Sequence, residues 1–329
     1  MPTTDKILAP CCVLVIGHNN SCIYDLQRNG IYRFPNKYLC LFEVDKETGI
    51  YKVNSIDANF DNSQAFIDTL ISNQLCISTT VNHFFRPIDL TYYPQRICEN
   101  AIIDRDKYSS YSMSSLAEKL SDVGCGAISI RYLYPVKLTE IERDVIEFNN
   151  STVRDIEIHC NILEGKSIEN IKDFKRRYGR VCSFVFYEER ERKVNHIGSN
   201  LTVVTIDKPL LKRNMCGGVS EFNMRAQTQF YIESKTFNNC LYRKICIDEN
   251  GLIKNCPLMT NNYGHLDDHS HQFRSIMKSE KFQEYWSITK DSVDDCKNCE
   301  FRYACLDCRC QAKNQNNTFT KQIKCEYNP

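Results

Sequence analysis

GAISIRYLYPVKLTEIERDVIEFNNSTVRDIEIHCNILEGKSIENIKDFKRRYGRVCSFVF, residues 126–186, sets three short apolar runs apart by two amphipathic stretches. The apolar runs are Ala127–Ile130, Ile156–Ile158 and Val181–Phe186; helical spacing fills Ile141–Phe148 and Ile168–Tyr178 between them. Strand–helix alternation with short connections predicts βα units on a mainly parallel sheet with right-handed crossovers. Working outward, Ala101–Ile103 and a helix around Leu116–Leu120 precede the stretch, and Leu201–Ile206 closes the series. A complete eightfold barrel takes about 250 residues. The segment 86–214 is too short for that, so an open partial (β/α) barrel or a small α/β layer is expected there.

Upstream, the period changes to that of strands. CCVLVIG, SCIYDL and GIYRF, within residues 11–35, alternate in a strand-like way. Gly17 to Asn20 supply one turn, and Asn29-Gly30 the next, a pair that tolerates positive φ at both positions. A polar stretch runs on to about Asn62. Phe66, Leu70 and Ile71 then fall at helical spacing, and Leu75 to Ile77 form a short strand. Residues 1–85 thus form a small β-rich module, a three-stranded sheet with a free edge and a following helix. Such an edge suits capture of an extended peptide as an added strand.

Downstream lies the third region, 215–329, where cysteines crowd. The chain has nineteen cysteines. Cys11, Cys12, Cys22, Cys40, Cys76, Cys98, Cys125, Cys160 and Cys182 lie scattered in apolar surroundings and read as buried small hydrophobes. Cys240, Cys246, Cys256, Cys296, Cys299, Cys305, Cys308, Cys310 and Cys325 are concentrated instead. Lys244–Ile247 and Leu252–Lys254 flank Asn250-Gly251, and a two-residue hairpin there would set Cys246 opposite Asn255 and beside Cys256. The run CKNCEFRYACLDCRC, residues 296–310, opens with the short bite Cys296-x2-Cys299, which lets two thiolates reach one metal. Cys305 and Cys325 can complete a four-thiolate set, and Cys240, Cys246 and Cys256 with Cys308 or Cys310 a second. Four thiolates each is what a [4Fe–4S] cluster requires. Zinc is the competing metal, since Cys296-x2-Cys299 and Cys305-x2-Cys308 also make a four-thiolate zinc set.

Other classes find little support. The formal charge is +1 and no basic run stands out, so the electrostatic footprint of nucleic-acid binding is missing. No stretch reaches the roughly 18 apolar residues of a membrane span. The absence of an export signal and the odd cysteine number argue for a reducing, cytoplasmic setting over a disulfide framework. His265, His269 and His271 read as surface histidines, while His18, His83, His159 and His196 have no partner pattern. Asp104, Arg105 and Asp106 follow the first strand of the parallel series and read as a loop cap ahead of a catalytic group. No phosphate-cradling glycine loop, nucleophile elbow or paired-carboxylate signature is present.

The cysteine spacing carries a resemblance. Cys240, ten residues, Gly251, four residues, Cys256, then Cys296-x2-Cys299-x5-Cys305 and Cys325, resembles the SPASM domain, the auxiliary [4Fe–4S] module of peptide-modifying radical SAM enzymes. More narrowly, NNCLYRKICIDENGLIKNCP (238–257), CKNCEFRYACLDCR (296–309) and KCEYNP (324–329) resemble SPASM-domain peptide maturases of grasp-with-spasm systems. SCIYDLQRNGIYRFPN (21–36) is similar to that family's opening and to winged-helix-type peptide-chaperone domains. The resemblance implies two [4Fe–4S] clusters, a precursor peptide and an ATP-grasp ligase as partners, and a radical SAM-like partial barrel over 86–214. One departure concerns the fourth ligand of the first cluster: the gap after Cys305 is two to Cys308 or four to Cys310, where the family pattern has three. The Cys-x3-Cys-x2-Cys triple that would open an iron to S-adenosylmethionine is absent, and neither Cys11-Cys12 with Cys22 nor Cys216 supplies it. Its absence argues against S-adenosylmethionine as a cofactor and for a peptide-maturation factor. The alternatives are an enzyme with an incomplete cluster as its active site and a zinc-stapled interaction protein.

Overall fold

Alternation in the N-terminal stretch resolves into two antiparallel sheets and one helix: β1 (Asp5–Leu8), β2 (Cys12–Ile16), β3 (Asn20–Asp25), β4 (Gly30–Pro35), β5 (Phe42–Val44), β6 (Tyr51–Val53), α1 (Ser63–Ser72) and β7 (Cys76–Thr79). The computed structural model describes residues 5–54, 62–79, 85–210, 224–268 and 272–306, with 325, 327 and 329. Strands β2, β3 and β4 form the expected meander, and Gly17 N donates to Asn20 O at 3.0 Å in its first turn. The second turn departs from the two-residue form. Asp25 pairs with Gly30, which leaves Leu26–Asn29 as a four-residue loop. The Asp25 carboxylate draws that loop closed by accepting the Gln27 and Arg28 amides at 3.1 and 3.0 Å. Only Asn29 takes a left-handed φ, of 56°.

The second sheet, in the order β5-β6-β1-β7, was not expected, because β5 and β6 lie in the polar stretch where no alternation shows. Helix α1 covers this region with Phe66, Ile67 and Leu70. They join Leu8, Ile23, Phe34 and Leu41 in one core, and Tyr38 stacks on Phe66 at 4.2 Å. Burying each large side chain stabilises by about 1.5–3 kcal/mol.

The βα series is present as predicted from Asn100 to Thr205, and the hairpin 244–254, expected in the separate cysteine-rich segment, joins its sheet. Its elements are β8 (Asn100–Arg105), α2 (Met113–Asp122), β9 (Ala127–Tyr132), β10 (Val136–Lys137), α3 (Leu138–Ile146), β11 (Asp155–Cys160), β12 (Leu163–Glu164), α4 (Ile168–Arg177), β13 (Val181–Phe186), β14 (Lys193–Ile197), β15 (Leu201–Thr205), β16 (Lys244–Ile247) and β17 (Ile253–Lys254). Eight strands follow the order β14-β15-β13-β11-β9-β8-β16-β17, while β10 and β12 pair separately. From β15 through β16 the pairings are parallel; antiparallel β14 and β17 end the sheet, which is therefore open among the described residues. Ser112 and Ser167 cap α2 and α4 by accepting the Ser115 and Asn170 amides, each at 3.1 Å. Helix α4 then lays Phe174 edge-on against Phe184 of β13, ring centres 5.9 Å apart.

Packing divides the chain into two units. Met1–Tyr93, Gly218–Asn239 and Ile288–Pro329 form one; Pro94–Gly217 and Cys240–Ser287 form the other. The segment expected as a single domain over 215–329 is thus shared between the units. Among the described residues, no helix is long and apolar enough to cross a membrane.

Candidate metal centre

In the first unit the cysteine run coils through consecutive tight turns. Cys296 N donates to Val293 O and Cys299 N to Cys296 O, both at 2.9 Å, and Cys305 N donates to Phe301 O at 3.0 Å. The turns place Cys296 and Cys305 close enough to Cys299 for charge on either to act on its thiol. Burial is the larger effect and, with Glu300, pushes that thiol up to about 12. A thiol so placed stays protonated at neutral pH until a metal displaces its proton.

Two cations brace the same turns. Lys290 is 2% exposed, and its ammonium donates to the Cys305 carbonyl at 3.0 Å. Arg302 donates to the Cys299 carbonyl at 3.0 Å and to Ile16 O at 2.8 Å. Strand β3 grips the segment as well: Tyr24 Oη donates to the Glu300 carbonyl at 2.6 Å. From β4, Arg33 Nε holds Glu300 Oε1 at 2.8 Å. Glu300 is fully buried, and its Oε2 has no hydrogen-bond partner among the described residues. Gly17 has no room for a side chain, since a Cβ would come within 2.8 Å of Glu300 N. Cys22, read from the sequence as a scattered buried thiol, faces this turn. It pairs with Arg33, is fully buried, and feels the charges of Glu300, Arg33 and Cys299. The period-2 spacing of Cys22 and Tyr24 was the available signal for this shared face.

Cys240, Cys246 and Cys256 belong to the second unit. The expected register of their hairpin is corrected by one residue: Ile247 pairs with Ile253, and Cys246 lies opposite Lys254 rather than Asn255. The cause is the turn. Asp248 Oδ1 accepts the Asn250 and Leu252 amides at 3.0 Å each, Gly251 alone takes a left-handed φ, of 79°, and Asp248 N donates to Leu252 O at 3.0 Å, which leaves Glu249–Gly251 as a three-residue loop. Cys246 is wholly buried; that burial, then Asp104, pushes its thiol up. Asp104 forms a two-bond pair with Arg131, Nε–Oδ1 2.5 Å and NH2–Oδ2 2.7 Å. The Cys256 sulfur accepts the Leu258 amide at 3.3 Å. Cys325 is described, whereas Cys308 and Cys310 lie outside the described residues. So do His83, His269 and His271. His265 Nε2 sits 2.8 Å from Asn250 O, next to the hairpin turn.

The parallel sheet also carries a row of polar groups that the sequence reading passed over. Ser129 donates to Glu157 Oε2 at 3.0 Å, His159 Nε2 lies 2.7 Å from the same oxygen, and His159 Nδ1 lies 3.1 Å from Tyr187 Oη. Burial raises the Glu157 carboxyl, but the bonds from His159, Ser129 and Ser183 with the His159 charge outweigh it and hold the group below its ordinary range. The alternating DIEIHC of β11 was the signal, with polar residues at every second position. Asp106 caps its own turn by accepting the Tyr108 amide at 2.7 Å, and Arg105 reaches Asp144 at 3.3 Å.

No family model, curated protein or solved structure matches the chain.

Proposed function

We propose that the chain is an iron–sulfur-binding maturation factor for a ribosomally made peptide, working beside an ATP-grasp ligase. Cys296, Cys299, Cys305 and Cys325 would hold one [4Fe–4S] cluster, and Cys240, Cys246 and Cys256 with Cys308 or Cys310 a second. On this reading the open α/β sheet is a radical SAM-like partial barrel without the open-iron motif, and Cys240–Cys325 carry a SPASM-like cysteine set.

The observation that carries the proposal is the run of consecutive turns that gathers Cys296, Cys299 and Cys305 on one short coil, with Cys296 and Cys305 near enough to act on the Cys299 thiol. When bound, [4Fe–4S] clusters supply rigid cross-links and a site for electron transfer.

The N-terminal module supports the peptide-binding part of the proposal. Strand β4 is an edge, with no ladder partner on its outer side among the described residues. Beside it a groove of about 260 Å³ runs along α1, lined by Tyr32, Phe34, Tyr38, Ala65 and Phe66 among others. An extended leader segment can satisfy the β4 edge and drop apolar side chains into the groove. Deleting the module is a poor test, because Tyr24 and Arg33 hold the cysteine turn through Glu300. Ala65→Trp, which fills the groove from an exposed position, is cleaner. Calorimetry with the precursor peptide should show binding weakened at least tenfold, with Gln64→Trp on the same helix unchanged. Undiminished affinity in Ala65→Trp would place the dock elsewhere.

A further inference from the structure

Outside the crowded C-terminal cysteines, one group of side chains has the composition of a metal site. The turn Ala9–Cys12 closes through the Cys12 amide on Ala9 O at 2.7 Å. It turns two adjacent cysteines toward one point, which a regular strand would not do, since neighbouring side chains there face opposite sides. Cys12 is paired across the ladder with Asp25. As a result Cys11 Sγ, Cys12 Sγ and a carboxylate oxygen of Asp25 all lie within 4.8 Å of one another, the only such trio among the described residues. The Cys11 thiol already donates to Asp25 Oδ1, sulfur to oxygen 3.8 Å.

The surroundings are those of an oriented ligand set. Asp25 Oδ1 accepts the Gln27 and Arg28 amides, and Oδ2 is held by Arg28 Nε. Fixing a carboxylate from behind is what outer partners do in metal sites, and it leaves the face toward the two sulfurs set in place. Closing the four-residue loop accounts for the two amide bonds; it does not account for two thiols converging on the same oxygen. Charge closes too. Two thiolates and one carboxylate bring three negative charges, against two from a divalent ion and one from Arg28. Cys11 is partly exposed, which gives an ion a way in, while Cys12 and Asp25 are buried.

We infer that Cys11, Cys12 and Asp25 bind one thiophilic divalent ion of the zinc class, independently of any iron–sulfur cluster. Binding replaces the two thiol protons, which pass to solvent, and forms two metal–sulfur bonds and one metal–oxygen bond. Three protein ligands leave a fourth position to water.

The test uses the full chain, stripped of loosely held metal and then given one to several equivalents of Zn2+ under anaerobic conditions. Zinc per chain is measured for wild type, Cys11→Ser, Cys12→Ser and the exposed Cys40→Ser. Zinc held by other cysteines is common to all four and cancels in the differences. The expected result is one zinc fewer in Cys11→Ser and in Cys12→Ser, none lost in Cys40→Ser, and iron content equal throughout. Should Cys12→Ser not fold, alkylation of wild type decides: added zinc should protect the partly exposed Cys11 from iodoacetamide and leave Cys40 reactive. Equal zinc in all variants, or no protection of Cys11, would overturn the inference.

Discussion

Replacing Arg131 by Met tests the electrostatics of the parallel sheet most sharply. The guanidinium side chain is 3% exposed and its Asp104 partner 0%, and two bonds of 2.5 and 2.7 Å join them across the β8–β9 ladder. Removing the cation leaves the Asp104 carboxylate buried without its counter-charge. Breaking a buried pair from one side costs about 3–5 kcal/mol. For a cooperative unit of this size that lowers the melting temperature by roughly 6–20 °C. The double variant Asp104→Leu/Arg131→Met removes both charges, so it should recover most of the loss, because neither charge is then left unpaired. Urea unfolding followed by circular dichroism measures all three chains. A single variant within about 1 kcal/mol of wild type, or a double no better than the single, would refute the argument.

Three further outcomes are expected. Cys296→Ala and Cys299→Ala should each lose one cluster's iron, about four atoms per chain on a [4Fe–4S] basis, while Cys125→Ala and Cys182→Ala keep the full amount; equal loss across the four would show the division of cysteines to be wrong. Reconstituted protein given dithionite and S-adenosylmethionine should yield no 5′-deoxyadenosine above a cluster-free control, because the three-cysteine motif is absent, and turnover would point to an open iron. Glu157 is held below its ordinary range in the fold, so its stabilisation is full above pH about 4.3 and drains away as pH falls through the folded value. Glu157→Gln should therefore trail wild type at pH 7 and converge on it in acid; a difference that stayed constant with pH would contradict this.

What was legible in the sequence followed from period. The βα series, the meander β2–β4 and helix α1 were all visible because each buries one regular face. Strands β5 and β6 were not, since three-residue strands in a polar run leave no alternation to read. Both Asn-Gly turns were located but given the wrong length, because the decisive groups are Asp25 and Asp248, whose carboxylates close loops of four and three residues. Within the candidate metal centre, the spacing of Cys296, Cys299 and Cys305 marked the turn. Lys290, Glu300 and Cys22 were invisible there, since their meeting depends on the cysteine run packing against β3 and β4.

The central claim is that the crowded cysteines hold iron and sulfide. Anaerobic purification followed by metal and sulfide analysis with Mössbauer spectroscopy tests it directly. The account predicts a brown protein with about eight irons and eight sulfides per chain, in two cubic clusters. A colourless protein carrying stoichiometric zinc at these cysteines, and no iron, would contradict it.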